Sequence, residues 1–474
     1  MKRLRSYSIS VCFSFFLLII SNHSFSQVGL EKARVIVTSD GEIDDECSLV
    51  RFLLYSNDME IEALVTSSSQ YHWQGHKWAG DQWAQPYLDA YAKVYPNLVK
   101  HDKNYPTPEY LNSINVLGNV SAEGEMEKVT AGSELIVKIL LDETDNRPIW
   151  LQAWGGTNTI ARALKTIEET HPEKMQNVAN KIRLYMIWEQ DETYQSYIKP
   201  HWGKYNILTI NSDQFIAYFY NWKQFLPKEQ QQYLVGTWMN QNVLKNHGAL
   251  CELYKANENG DFRSEGDSPA FLHTIPTGLR NLESPDFGGW GGRYVKVRAN
   301  TWMDKVDEPG YTYPEGRWWT KNAWGRNRMK LEIPNDTLLT NYMKPMWQWI
   351  GPIQNDFASR ADWCVKSFAE ANHPPVVVLK SEENPKVKSG AKVALCADGT
   401  TDPDGDKLNY RWWQYQDAGT YKGNIQIKND TKQETTLVVP KDAKKGDIIH
   451  VILEVSDSGS PTLTRYKRVV ITVK

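Results

Sequence analysis

The chain reads as an α/β domain built on a mostly parallel sheet with flanking helices, followed by a small all-β sandwich. Three observations predict this. A strand pattern, an apolar helical run and a second strand follow one another within residues 33–66, and so short a strand–helix–strand unit places its strands in parallel. The alternation recurs to about residue 210. After Asn372-His-Pro-Pro375 the composition turns to Val, Thr and Lys in short alternating strands.

Taken in order, Ala33 to Ser39 is a short buried strand, and Cys47, Leu49, Val50, Leu53 and Leu54 mark the helix after it. Ile61 to Thr66 is the second strand. Ser133 to Leu141 reads as helix, Pro148 to Ala153 as strand, Thr157 to Glu169 as helix, Lys181 to Ile187 as strand and Tyr205 to Ile210 as a further short strand. From Thr237 to Glu370 the chain is rich in loops, Trp and Gly, including Gly288 to Arg293, and a loop region that long usually carries function. Beyond the boundary, strands are expected at Val376–Leu379, Lys392–Cys396, Leu408–Tyr415, Thr436–Val439, Ile448–Val455 and Tyr466–Val473, the pattern of a β-sandwich. Asp402-Pro-Asp-Gly-Asp406, followed by Leu408 to Trp413, resembles the turn and strand of PKD-like and other immunoglobulin-like modules. Its aspartates are read as an Asx-stabilised turn ahead of a Ca²⁺ loop.

A content of 41% apolar and 23% charged residues excludes disordered, collagen-like and polytopic membrane classes. Lys2, Arg3 and Arg5, the apolar stretch Val11 to Ile20 and Ser24-Phe25-Ser26 form a secretory signal with cleavage expected before Gln27. Cys12 has no lipobox around it. The mature chain is expected in a periplasm or outside the cell, with no transmembrane segment once the signal is removed. The formal charge of −3 gives no basic excess, so nucleic acid is not an expected partner. Cys47, Cys251, Cys364 and Cys396 lack CxxC spacing and read as free thiols. The 19 tryptophans are divided between a large aromatic core and platforms for sugar rings. The expected organisation is a signal at 1–26, the α/β domain at 27–371 and the sandwich at 372–474. All candidate carboxylates precede the last boundary, so the first domain is expected to fold without the second.

The sharpest feature is Asp40-Gly-Glu-Ile-Asp44-Asp45, at the C-terminal end of the first strand, where α/β sheets place ligands. A helix cap accounts for one aspartate. It does not account for three, with Glu42 and Glu46 beside them, because they repel one another. A hard cation removes that repulsion, and oxygen-only ligands point to Ca²⁺ or Mg²⁺.

Asp40-x-x-x-Asp44-Asp45 after Val-Ile-Val resembles the nucleoside hydrolase signature. The stretch through Ser48 to Asn57, Glu-Gly-Asp-Ser-Pro-Ala-Phe-Leu-His at 265–273 and Gly-Gly-Trp-Gly-Gly-Arg-Tyr at 288–294 resemble a secreted bacterial family of nucleoside-hydrolase-like proteins named for cellulose binding. The resemblance covers the mature chain and implies a nucleoside-hydrolase-like domain followed by an immunoglobulin-like one. It implies Ca²⁺ held by Asp40, Asp45, Asp267 and the Trp154 carbonyl, with Asp40 also the general base. It implies that Asp44 and Gln70 hold sugar hydroxyls. The sequence departs from the pattern at Thr38, which replaces the first aspartate, and at Gly41-Glu42, which replace Pro-Gly. Gly266 stands where base-cleaving members often keep a protonating His. The metal and sugar half of the site is unaffected by these departures.

In that chemistry a Ca²⁺-oriented water loses its proton to Asp40, and the carboxylate ring stabilises an oxocarbenium-like sugar. Tyr71, His72, Trp73, His76 and Trp78 follow the second strand and either line the pocket mouth or pack as a surface loop. Trp188 and Glu189 follow the Lys181–Ile187 strand and are taken as substrate contacts, with Trp73. Glu189 or Asp191 is either a leaving-group acid or part of a solvated acidic loop. His273 reads as structural, and Gly288 to Arg293 lacks a phosphate-loop context. The expected function is a secreted Ca²⁺-dependent hydrolase of a glycosidic or N-glycosidic bond, acting on a carbohydrate or nucleoside-like small substrate. The alternative is a non-catalytic carbohydrate-binding protein on the same fold.

Overall fold

Val35, Ile36 and Val37 are buried because β1 (Ala33–Ser39) runs through the middle of the main sheet, in parallel register with a strand on either side. The structure is a computed structural model and describes residues 32–72, 80–218, 220–307, 310–316 and 336–474. The expected signal at 1–26 and the candidate Trp73 lie outside those residues, as do His76 and Trp78. Among the described residues no helix is long and apolar enough to cross a membrane.

After β1 come β2 (Met59–Thr66), β3 (Asn115–Leu117), β4 (Ile149–Ala153), β5 (Ile182–Ile187), β6 (Leu208–Ser212), β7 (Tyr294–Lys296) and β8 (Thr301–Asp304). They form one eight-stranded sheet in the order β3-β2-β1-β4-β5-β6-β8-β7, in which only the β7–β8 pair is antiparallel. The chain steps outward from β1 to β3 and then crosses to the other side of β1 to build β4. At that reversal the loops leaving β1 and β4 diverge, which is where α/β sheets place their ligands. Asp40 and Trp154 are the residues that follow those two strands.

Helix α1 (Ile43–Leu54) carries Asp44, Asp45 and Glu46 in its first turn and Arg51 in its last, the arrangement the helix dipole favours. With helices Gln85–His101 and Ile350–Trp363 it covers one face of the sheet; Ala131–Leu141 and Asn158–Thr170 cover the other.

Several segments differ from the sequence reading. Helix Ile350–Trp363 lies within the expected loop region because it is buried almost all round, with Gln354, Asp356, Ser359 and Arg360 as inaccessible as its apolar residues. A polar–apolar period therefore never develops. The strand expected from Tyr205 begins only at Leu208, because Asn206 turns the chain at φ 58°. Val376–Leu379 is no strand: Val376 makes a single bridge to Thr401, and the Val378 amide donates to the Thr400 hydroxyl.

The C-terminal part packs a three-stranded sheet (Lys392–Cys396, Glu434–Val438, Ile427–Lys428) on a four-stranded one (Asn409–Gln414, Ile448–Ser456, Thr464–Val473, Lys386–Val387). Val393, Leu395, Trp412, Leu437, Val451 and Ile471 are among the side chains between them. Asp402 accepts from the Asp404 and Asp406 amides at 2.9 and 3.0 Å, the geometry of an Asx turn, and Asp404 holds His373 of the connecting segment. Cys47, Cys251 and Cys364 are buried and Cys396 is half-buried, all as free thiols.

Residues 32–474 form one compact unit. Strand Thr464–Val473 reaches across to the α/β part. Arg465 pairs with the buried Asp356 at 2.6 Å, Arg468 donates to Gly288 O at 2.8 Å, and the Tyr466 amide donates to Thr277 O at 2.9 Å. Gly278 is glycine because a side chain there would overlap the Tyr466 carbonyl. The Gly288–Arg293 segment thus meets the sandwich through Gly288, while Gly289 and Gly291 pack against Asn281 and His273 of the α/β part.

Candidate functional site

The turn after β1 and the start of α1 gather three buried aspartates and the half-buried Glu42, because Asp40 follows the strand, Gly41 turns the chain at φ 73° and Asp44 and Asp45 lie in the first turn of the helix. Asp267, far along the sequence, is brought in by the turn before helix Ser268–Leu272. Asp44, Asp45 and Asp267 each offer a carboxylate oxygen, and those oxygens lie within 4.8 Å of one another. The trio that converges therefore contains Asp44, which the resemblance assigns to the sugar. Asp40 lies alongside, and its charge acts on both Asp45 and Asp267.

Asp45 is fixed by the Ser39 hydroxyl and by the Glu42 amide at 3.1 Å. By contrast both oxygens of Asp40, Oδ1 of Asp44 and Oδ2 of Asp267 are buried with no hydrogen-bond donor at bonding geometry. Buried polar atoms are almost always satisfied in folded proteins, so four orphaned acceptors side by side are free to accept a donor or a cation. Among the described residues the five acids have one ion-pair partner, His72, whose Nε2 lies 2.7 Å from Glu42. Burial, with Asp44 beside it, pushes the Asp40 carboxyl up to about 6. Burial and the Asp45 charge push Asp44 up to about 8. Burial and mutual repulsion hold Asp45, Asp267 and Glu42 well above the usual carboxylate range. An all-oxygen set with surplus negative charge fits a hard divalent cation.

These shifts predict how stability follows pH. A carboxyl raised on folding stabilises the fold below its unfolded value of roughly 4 and loses that contribution as pH rises through its folded value. With Asp40 and Asp44 at about 6 and 8, the window runs from weakly acidic to weakly basic pH. In chelator, Tm should fall steadily from pH 5 to pH 8, and added Ca²⁺ should raise it most at pH 8. A Tm in chelator that climbs over this range would contradict the unpaired ring.

The remaining candidates are placed as follows. The Gln70 amide donates to Gln190 O at 3.0 Å, and its side-chain Nε2 is a buried donor with no acceptor. The Trp154 carbonyl accepts from Gln190 Nε2 at 2.5 Å, which leaves one lone pair for any ion, while its indole packs between Phe52 and Phe271. Trp188 sits at φ 58°, strained for a bulky side chain, with its indole N–H on Asp213 and its ring edge-on to Phe215. Glu189 is buried and accepts from Asn211 at 2.7 Å and Gln195 at 2.9 Å. Asp191 is buried rather than solvated: it accepts from the Asn158 and Thr193 amides at 3.0 and 2.9 Å and caps helix Asn158–Thr170. His273, driven down to about 3 by burial, is a neutral core residue beside Trp150.

Sequence reasoning missed Ser39, which orients Asp45, and Gly155, where a Cβ would lie 2.8 Å from the Asp40 carboxyl carbon. The Gly-Gly pair directly after a strand was the available signal for that close approach. It also missed Arg51 and Glu265, a fully buried ion pair with Nε–Oε2 at 2.5 Å.

A mostly parallel sheet whose first strand ends in such an acidic cluster is the arrangement of a nucleoside hydrolase-like domain. Residues 34–294 match the family model described as "Cellulose-binding Sde182, nucleoside hydrolase-like domain", and residues 392–473 match "Cellulose-binding protein Sde0182, C-terminal domain". The chain belongs to this cellulose-binding Sde182 family. A solved nucleoside hydrolase-related protein from Saccharophagus degradans, described as associated with carbohydrate metabolism, is 30% identical with a TM-score of 0.73, the match covering 94% of this chain and 100% of that one. The PKD domain from the KIAA 1837 protein matches at 15% identity over 20% of this chain and 86% of its own, with a TM-score of 0.16, too low to carry an argument. No curated protein matches the chain.

Proposed function

We propose that the protein is an exported, Ca²⁺-dependent hydrolase of a glycosidic or N-glycosidic bond in a carbohydrate or nucleoside-like small substrate. The observation that carries the reading is the set of orphaned carboxylate oxygens on Asp40, Asp44 and Asp267 at the switch point of the sheet. A surface that only adsorbs a glycan has no need of a buried acidic ring, whose assembly costs stability. Asp44, Asp45 and Asp267 would hold the ion, with Asp40 beside them. Bound Ca²⁺ supplies Lewis-acid charge that polarises water and sugar hydroxyls. Asp40 is the base that takes the proton of the attacking water. Gln70 Nε2 donates to a sugar oxygen, and the surrounding carboxylates stabilise positive charge developing on the sugar ring. As the water oxygen bonds to C1 the glycosidic bond breaks, and the departing atom takes its proton from solvent because Gly266 supplies no imidazole; the tie of the Saccharophagus degradans relative to carbohydrate metabolism favours a sugar substrate.

The family's cellulose-binding description favours a second reading, a carbohydrate-binding protein without turnover. The purified protein should be offered nucleosides, plant oligosaccharides and cellulose, with Ca²⁺ and with chelator. Release of sugar or base that requires Ca²⁺ supports the hydrolase. Cellulose retention equal in both conditions, with no product from any substrate, supports the binding protein instead.

A further inference from the structure

Asp44, Ser48 and Arg51 lie at spacings of four and three along α1, so they share one face of the helix. Opposite them runs the turn Glu265-Gly-Asp-Ser268. The two segments meet in three rungs. At the far rung Arg51 grips Glu265 in a bidentate pair, Nε–Oε2 2.5 Å and Nη2–Oε1 2.9 Å. At the middle rung Ser268 Oγ lies 3.2 Å from Ser48 Oγ and donates to Glu265 at 2.7 Å. At the near rung Asp44 faces Asp267, carboxylate against carboxylate. Tyr254 donates to Glu265 at 2.6 Å, and Gln354 accepts from Arg51 at 2.6 Å, so the far rung is fully satisfied and has one geometry.

We infer that Arg51 and Glu265 are positioning residues whose ion pair locks the 265–268 turn onto α1 and so presents Asp267 to Asp44 and Asp45 in the spacing a cation requires. The inference rests on reading the carboxylate ring as a cation site. Without the two outer rungs, repulsion between Asp44 and Asp267 would swing the turn away, and the cation would have to gather its ligands itself. With them, the repulsive rung is held closed in advance.

Calorimetric titration of Ca²⁺ into the full chain tests this. Glu265→Gln should weaken binding by roughly 10- to 100-fold, the usual effect of losing a partner that orients a ligand. Ser268→Ala, a milder change in case the first variant does not fold, should weaken it by several-fold. Arg34→Met breaks a different buried ion pair, with Glu62 near the start of β1 and away from the turn, and serves as control: it should lower Tm yet leave Ca²⁺ affinity within about twofold of the wild type, since distant sites act independently. Unchanged affinity in Glu265→Gln and Ser268→Ala, with wild-type binding intact, would overturn the positioning role alone. No Ca²⁺ binding by the wild-type chain would overturn the cation reading itself, and the ladder's purpose with it.

Discussion

A chain ending at Asn372 should not yield a folded, soluble α/β domain. Asp356 is 2% exposed and held at about 2 by Arg465 and Arg360. Cutting away Arg465 strips one of two partners from a buried charge and leaves Arg360 in place, a loss of about 1.5–3 kcal/mol. The cut also bares Trp349, which packs edge-on to Tyr415 and Tyr466 at centroid separations of 6.1 and 5.5 Å. Each large aromatic returned to water costs about 1.5–3 kcal/mol more. Set against a typical stability of about 5–15 kcal/mol, these losses bring a domain at the lower end of that range to the point of unfolding. Expression with circular dichroism and urea unfolding checks the point. A soluble truncated chain with a cooperative transition would restore the modular organisation that the sequence suggests.

The second large effect concerns Asp40. Replacing it by Asn keeps the volume and one ligating oxygen and removes the proton acceptor. At saturating Ca²⁺ turnover should fall by roughly 10² or more, the contribution of a positioned base. Ca²⁺ affinity should fall only moderately, because Asp44, Asp45 and Asp267 still converge. Substrate affinity should largely survive. Product assays beside calorimetry on both proteins separate these quantities, and turnover unchanged in Asp40→Asn would pass the role of base to another member of the ring.

The β1–α1 unit and its acids were legible because strand, turn and helix start are all local, and three aspartates in six residues exceed what a cap needs. Asp267 was legible only through family resemblance, since nothing local ties Glu-Gly-Asp to a strand more than two hundred residues earlier. The ion pairs that close the structure were not legible at all. Arg51–Glu265 and Asp356–Arg465 each join residues remote in sequence, and a buried charge looks like a surface charge until its partner is known. For the same reason helix Ile350–Trp363, whose polar residues face other protein, read as loop. Trp188 was correctly placed after β5, yet its left-handed backbone had no sequence mark, because a tryptophan there gives no hint of glycine-like geometry.

The reach of strand Thr464–Val473 into its neighbour also bears on how such a gene can change. A carbohydrate-binding module that moves between enzymes must present a surface complete in itself. This sandwich does not: Arg468 is entirely inaccessible and burial lowers it to about 9, while its guanidinium is shared between His450 of the sandwich and Gly288 O of the other part. Transplanted beside an unrelated domain, the sandwich would bring two buried arginines that have each lost a partner, Asp356 for Arg465 and Gly288 O for Arg468, and an aromatic face without its cover. Recombination that separates the two halves is therefore penalised on both sides of the break.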